Sequence, residues 1–208
     1  MTAAPLDGRL ARSQRTRAAV IDALVALCEE GDPSPTALRV AERAGVALRT
    51  VYGHFADMES LYAEAGDREL ALVSGMVRPV DLAAPLADRL AQFVTDRAAV
   101  LEHLLPLVRA AVVRAPSSPQ LRSLRTRFLE LGDGQVLTSF APEVEGLDAA
   151  TARSVLDVAH LVAGGNAREA LREDRGLDEA GAKGVMESTL TSALLPLLAR
   201  DVQPSASP

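Results

Sequence analysis

Apolar positions recur along this chain every three to four residues and nowhere alternate over a sustained run, which is the pattern of helices rather than strands. Val20, Leu24, Leu27 and Cys28 form one such stripe. They predict a first helix from about Ser13, which can cap it, to Glu30, with Gly31 as the stop. Two short helical patterns follow and meet at Gly45. Val40, Ala41 and Ala44 share a face of one, and Val51 and Phe55 share a face of the next. Ser34 as N-cap, with Pro35 at the first helical position, predicts the start of the second helix. The third is expected over about 47–54. Asp57 can cap a fourth helix that ends near Val77, before Pro79. Beyond it the periodicity predicts helices over about 85–94, 96–114, 119–137, 148–173 and 178–200. Pro106 is expected to kink or split its helix, because a proline there removes one backbone hydrogen bond. Residues 1–12 read as a flexible arm, and Gln203 to Pro208 as a disordered tail.

Composition sharpens this reading. Apolar residues make up 48% of the 208, enough for a sizeable core, but aromatics only 3%, so the core is built from Leu, Val and Ala. Ala and Leu favour helices, and the expected fold class is all-α. The single cysteine, Cys28, excludes an intramolecular disulfide; its two readings are a core filler and a redox sensor. There is no basic-then-apolar leader and no run of about 18 uninterrupted apolar residues. A cytoplasmic protein with no membrane partner is expected. The net charge of −6 argues against a nucleic-acid partner until its distribution is considered. Residues 1–55 carry seven of the 22 basic residues against six of the 28 acids, so the remainder is strongly acidic. Arg9, Arg12, Arg15 and Arg17 form a cluster free of acids. A basic end on an acidic body suits a DNA-binding head; a solvated helix start is the plainer alternative.

The two short helices joined at Gly45 have the layout of a helix-turn-helix, whose second helix enters the DNA major groove. A glycine at the joint can take the positive φ that ends one helix and aims the next. The stretch from Thr36 to Leu61 resembles the DNA-binding domain of the TetR-type transcriptional regulators. The resemblance rests on Thr36, the pair Val40-Ala41, the turn Ala44-Gly45-Val46, Tyr52, Phe55 and the pair Met58-Glu59. It covers roughly residues 13–62, and its strength lies in the ordered string. Three positions depart from the family pattern: Cys28 where an aromatic is usual, Asp32 where an aromatic often follows the glycine, and Met58 in place of a lysine.

Arg49 on the third helix is the best candidate base reader, since arginine can bond both major-groove acceptors of guanine. A phosphate or solvent contact is its alternative. Thr50 can touch a base or a phosphate, and Leu48 can press on a thymine methyl. The resemblance implies that Thr36, Tyr52 and His54 bond phosphates, which position the helix without reading sequence. It also places Arg15 and Arg17 near the DNA backbone, where they can compensate for the lysine replaced by Met58.

The resemblance implies a division into a helix-turn-helix domain over residues 13–56 and a helical ligand-binding and dimerisation body over 57–202. In the body, Leu104, Leu107, Val108, Phe128 and Leu131 offer apolar lining. His103, Gln135, His160 and Asn166 interleave as polar hooks, the usual make-up of a ligand pocket. Residue by residue, plain core is the competing reading. His103 and His160 lack the close spacing of metal ligands, and neither a metal nor a cofactor is expected. Two late helices resemble the family's dimer bundle, one through Leu156, Ala159, Ala163 and Gly164, the other through Leu190, Leu194 and Leu197. Gly164-Gly165 within a helix is expected to permit close helix approach. Intrachain packing is again the alternative.

The expectation is therefore a ligand-responsive, homodimeric regulator of double-stranded DNA with a palindromic operator, a repressor released by a small molecule. A constitutive regulator or activator without a pocket is the alternative. An enzyme is not expected, because no Ser/His/Asp string, nucleotide loop or metal cluster is present. A helix-turn-helix used only for protein contact is disfavoured by Arg49 and the arginine cluster.

Overall fold

A computed structural model describes residues 4–112 and 114–198. Every regular element among them is helical. In chain order they are α1 (Ala4–Glu29), α2 (Ala37–Ala44), α3 (Leu48–His54), α4 (Met58–Ser74), α5 (Leu86–Val112), α6 (Pro119–Ser139), the single-turn α7 (Ala141–Val144), α8 (Ala149–Val162), α9 (Gly165–Glu169) and α10 (Glu179–Leu198). A 3₁₀ turn over Ala115–Ser117 precedes α6, and a π-helical turn over Ala170–Asp174 follows α9. The expected tail, 203–208, lies outside the described residues.

The chain forms two compact units. One comprises Met1–Leu72 with Leu104–Arg127, the other Val73–His103 with Phe128–Pro208. In the first, the predicted stripe of α1 (Val20, Leu24, Leu27, Cys28) is buried against Val40 and Ala41 of α2, Val51 of α3, Phe55, and Leu61 and Tyr62 of α4. Leu107, Ala110 and Ala111 of α5 and Leu121 of α6 complete this core. In the second unit, Leu90, Phe93 and Val94 of α5 pack with Val136 of α6, Phe140, Val155 and Ala159 of α8, and Met186, Leu190 and Leu194 of α10. Phe93 and Phe140 meet as tilted rings 5.5 Å apart. Arg89, 4% exposed, donates to the Ser139 carbonyl at 2.8 Å and pairs with Glu143, which locks the start of α5 to the end of α6 and to α7.

Four expectations need correction. The stretch read as an arm is helical from Ala4 onward, and α1 runs 26 residues. Pro5 does not prevent this, since the first turn of a helix has no use for its missing N–H. The second helix is capped by Thr36, not Ser34. The two helices expected over 85–94 and 96–114 are one, α5, and Pro106 does not split it. The helix expected over 148–173 is broken: α8, capped by Asp148, ends at Val162, and the backbone at Gly164 is extended (φ −86°, ψ 169°). The glycine pair therefore lies at a helix break rather than within one continuous helix. A Cβ on Gly164 would lie 2.2 Å from the His160 carbonyl oxygen, so the break closes only around a glycine.

Candidate nucleic-acid interface

The helix-turn-helix is fixed by local backbone chemistry. Thr36 is extended (φ −88°, ψ 157°), and its hydroxyl accepts the Arg39 N–H at 3.3 Å, which caps α2. At the other end Gly45 is left-handed (φ 66°, ψ 32°). Its N–H reaches the Glu42 carbonyl at 3.2 Å, and that of Val46 reaches the Ala41 carbonyl at 3.0 Å. This paired closure satisfies two carbonyls that the end of α2 would otherwise leave bare. Ala47 is extended again (φ −71°, ψ 147°) and launches α3. The next junction is capped reciprocally: the Ser60 N–H donates to Asp57 Oδ1 at 2.7 Å, and the Asp57 N–H to Ser60 Oγ at 3.3 Å.

The periodicity of α3 then divides its side chains. Val51 (2% exposed) and Phe55 (3%) turn into the core, whereas Leu48 (39%), Arg49 and Tyr52 (53%) share the exposed face. Thr50 and His54 are half-buried between the two, and the His54 ring tilts against Phe55. Arg49 makes no hydrogen bond or ion pair among the described residues. An exposed, unpaired guanidinium beside an apolar Leu48 and a phenol is a surface able to read base edges and touch backbone oxygens.

The N-terminal arginines separate into committed and free ones. Arg39 pairs with Asp32, and Arg43 with Glu30 at 2.6 Å. Arg17, expected near DNA phosphates, is committed as well. Its Nε donates to Glu64 Oε1 at 2.6 Å, its Nη2 bonds Glu64 Oε2, and its Nη1 donates to the His54 carbonyl at 2.6 Å. The same guanidinium lies 4.4 Å from the centroid of the Phe55 ring. Arg17 thus ties α1 to the end of α3 and to α4. Arg9, Arg12 and Arg15 are exposed on α1 and, like Arg49, form no ion pair among the described residues. Thr36 is exposed.

Two positioning residues were not visible from the sequence. Glu64 holds Arg17. Arg114, 80 residues from Ser34, donates to its Oγ at 2.8 Å and to the Pro35 carbonyl at 3.4 Å while stacking on Tyr62. It therefore clamps the turn that presents Thr36. Cys28, beneath this site, is 3% exposed, and burial pushes its thiol up to about 11. So protonated and enclosed a thiol is a core residue rather than a redox sensor. Met58, where the family carries a lysine, is half-buried and packs on the core. Restoring the cation by Met58→Lys is expected to add about one unit to the slope of log affinity against log salt, read from anisotropy titrations of duplex DNA.

The residues expected in a ligand pocket are divided between the two units. Leu104, Leu107 and Val108 belong to the first unit, where Leu107 is core; His103, Phe128, Leu131, Gln135, His160 and Asn166 belong to the second. His160 and Asn166 are exposed, so neither lines an interior, while Gln135 is buried. Of the expected dimer residues, Ala159, Ala163, Leu190 and Leu194 are in the core of their own chain, and Leu156 and Leu197 are half-buried against it. Gly164 is buried at the α8–α9 break. Among the described residues no group of His, Cys, Asp or Glu is placed to hold a metal ion, and no helix is long and apolar enough to cross a membrane.

Residues 20–65 match the family model of bacterial regulatory proteins, tetR family. No curated protein matches the chain. Among solved structures, a transcriptional regulator from Rhodococcus sp. Rha1 superposes with a TM-score of 0.67 at 19% identity, over 88% of this chain and 96% of that one. A tetR-family transcriptional regulator from Streptomyces coelicolor gives 0.69 at 17% identity, over 90% and 84%. A multidrug binding protein, EbrR, complexed with imidazole, gives 0.52 at 20% identity, over 83% and 93%. At these identities the structural likeness speaks for the fold, and the family match runs from within α1 to within α4.

Proposed function

We propose that this chain, whose residues 20–65 match the tetR family of bacterial regulatory proteins, is a DNA-binding transcriptional regulator and not an enzyme, and that it acts in the cytoplasm as a homodimeric repressor released from a palindromic operator by a small molecule. The observation that carries the DNA contact is the exposed face of α3, where Arg49 is unpaired between Leu48 and Tyr52. Arg49 reads bases, with Leu48 and Thr50 beside it. Tyr52, His54, Thr36 and Arg15 hold phosphates.

A palindromic operator needs two copies of α3, hence a dimer. The buried residues of α8 and α10 are unavailable to a second chain, but their exposed neighbours are not. Val185, Ser188, Ser192 and Leu195 form a stripe on α10, and Leu161 on α8 is 75% exposed. That small and apolar stripe is the face proposed to meet the second copy. The multidrug-binding relative supports an effector. Such an effector acts only through its differential affinity for the conformer that fits DNA poorly.

A gel shift against the intergenic DNA upstream of the chain's own gene tests the reading. A discrete complex that resists competitor DNA, and that a metabolite extract dissolves, is expected. A complex that no small molecule dissolves would instead indicate a constitutive regulator.

A further inference from the structure

The second unit buries polar groups that the fold does not satisfy. Arg97 of α5 is 3% exposed, and Gln135 of α6 is 7% exposed. The Arg97 Nε donates to the Ala163 carbonyl at the α8–α9 break at 3.1 Å, but its Nη1 has no hydrogen-bond partner. Both polar atoms of the Gln135 amide, Nε2 and Oε1, are also unpartnered. Arg97 forms no ion pair among the described residues; Asp133 exerts only a Coulombic pull on it. Burial lowers its guanidinium to about 10, so it still carries its charge at neutral pH.

These groups share one face. Phe128, Gly132 and Gln135 follow one another at helical spacing along α6. The Arg97 guanidinium lies 5.4 Å from the Phe128 ring centroid and rests against the bare α-carbon of Gly132, where a Cβ would sit 2.9 Å from Nη2 and 3.1 Å from Nη1. A glycine inside a helix is unfavourable, and here it makes the room the guanidinium occupies. In sequence order the face offers an aromatic ring, a space holding a cation, and an unbonded amide.

A buried cation that forms no ion pair is costly, and so is each unmade hydrogen bond. One ligand chemistry relieves both. A carboxylate on this face would accept from the unpartnered Arg97 Nη1 and Gln135 Nε2, leaving Gln135 Oε1 to accept a donor from ligand or water. Half-buried Phe128 and Leu131 suit an apolar body. We propose that the effector of this regulator is an organic monocarboxylate held within the second unit by Arg97 and Gln135. The proposal rests on the ligand-responsive reading above and names its chemical class.

The test is thermal denaturation and calorimetric titration of the full chain with octanoate and benzoate, each beside its neutral amide. A saturable rise in the midpoint is expected for the acids and not for the amides. Arg97→Gln is expected to weaken the acid at least about tenfold, as loss of a charge-assisted bond does. Should that variant fold poorly, Gly132→Ala keeps the charge, displaces the guanidinium, and is expected to weaken binding in the same direction. Amides that bind as well as the acids, acids that shift nothing at millimolar concentration, or a response unchanged in both variants would overturn the proposal. DNA binding by the unliganded wild type is measured alongside. Its loss would count against the regulator reading itself, whereas intact DNA binding without a carboxylate response counts against the ligand class alone.

Discussion

Arg49→Ala is expected to erase most of the chain's preference for its operator while leaving much of its affinity for unrelated duplex. The guanidinium stands on the exposed face of α3, in its first turn, with no partner to hold it elsewhere among the described residues. A bidentate arginine–guanine contact is worth about 1–3 kcal/mol of discrimination, roughly 5–150-fold. Non-specific affinity rests on phosphate contacts, and Arg15, Thr36 and Tyr52, the residues proposed to make them, are untouched. The fold should not suffer, because an exposed alanine is the better helix former. Anisotropy titrations of operator and scrambled duplexes at one salt concentration measure the ratio. An equal loss on both duplexes would show that Arg49 holds a phosphate instead.

The largest stability effect is expected from Phe55→Ala. Phe55 closes α3, is 3% exposed, and lies in the same core as Val20, Val40 and Leu61. Emptying such a site costs about 3–5 kcal/mol. The Arg17 guanidinium stacked on the ring loses its platform as well, and with it part of the hold between α1, the end of α3 and Glu64. Against a whole-domain stability of about 5–15 kcal/mol this leaves the head close to unfolding. Urea denaturation should show the midpoint falling, with DNA binding lost in parallel. A change below about 1 kcal/mol would mean that Phe55 is not the keystone its burial indicates.

The head was legible because its signals are local. Gly45 with a positive φ, the apolar spacing of α2 and α3, and Asp57 at the start of α4 each act within a few residues, and the structure uses all three. Ser34 and Thr36 flank Pro35, and both can cap a helix. Sequence alone had no means of weighing the clamp by Arg114, which binds Ser34 and Pro35 from far along the chain. The pairing of Arg17 with Glu64 was hidden for the same reason, since the two lie 47 residues apart.

The body was legible only as a set of helices. Arg97 follows Asp96 in an otherwise apolar stretch, and a single arginine there reads as a surface position, because long charged side chains usually reach water. That it is buried depends on a glycine in α6 and a carbonyl at a helix break, neither of which its own neighbourhood announces. Pro106 shows the converse. The hydrogen bond it removes is a local loss, but Leu101, Leu104, Leu105 and Leu107 are all buried around it, and α5 stays whole.

On the proposed function, the exposed face of α3 reads DNA sequence from two copies of the chain. The most direct measurement is selection of bound fragments from a random duplex pool at low salt, followed by sequencing. Retained fragments are predicted to share an inverted repeat, its half-sites about one helical turn or a multiple of it apart, with affinity falling steeply as salt rises. A retained pool without a common sequence, or no retention at low salt, would contradict sequence reading by α3.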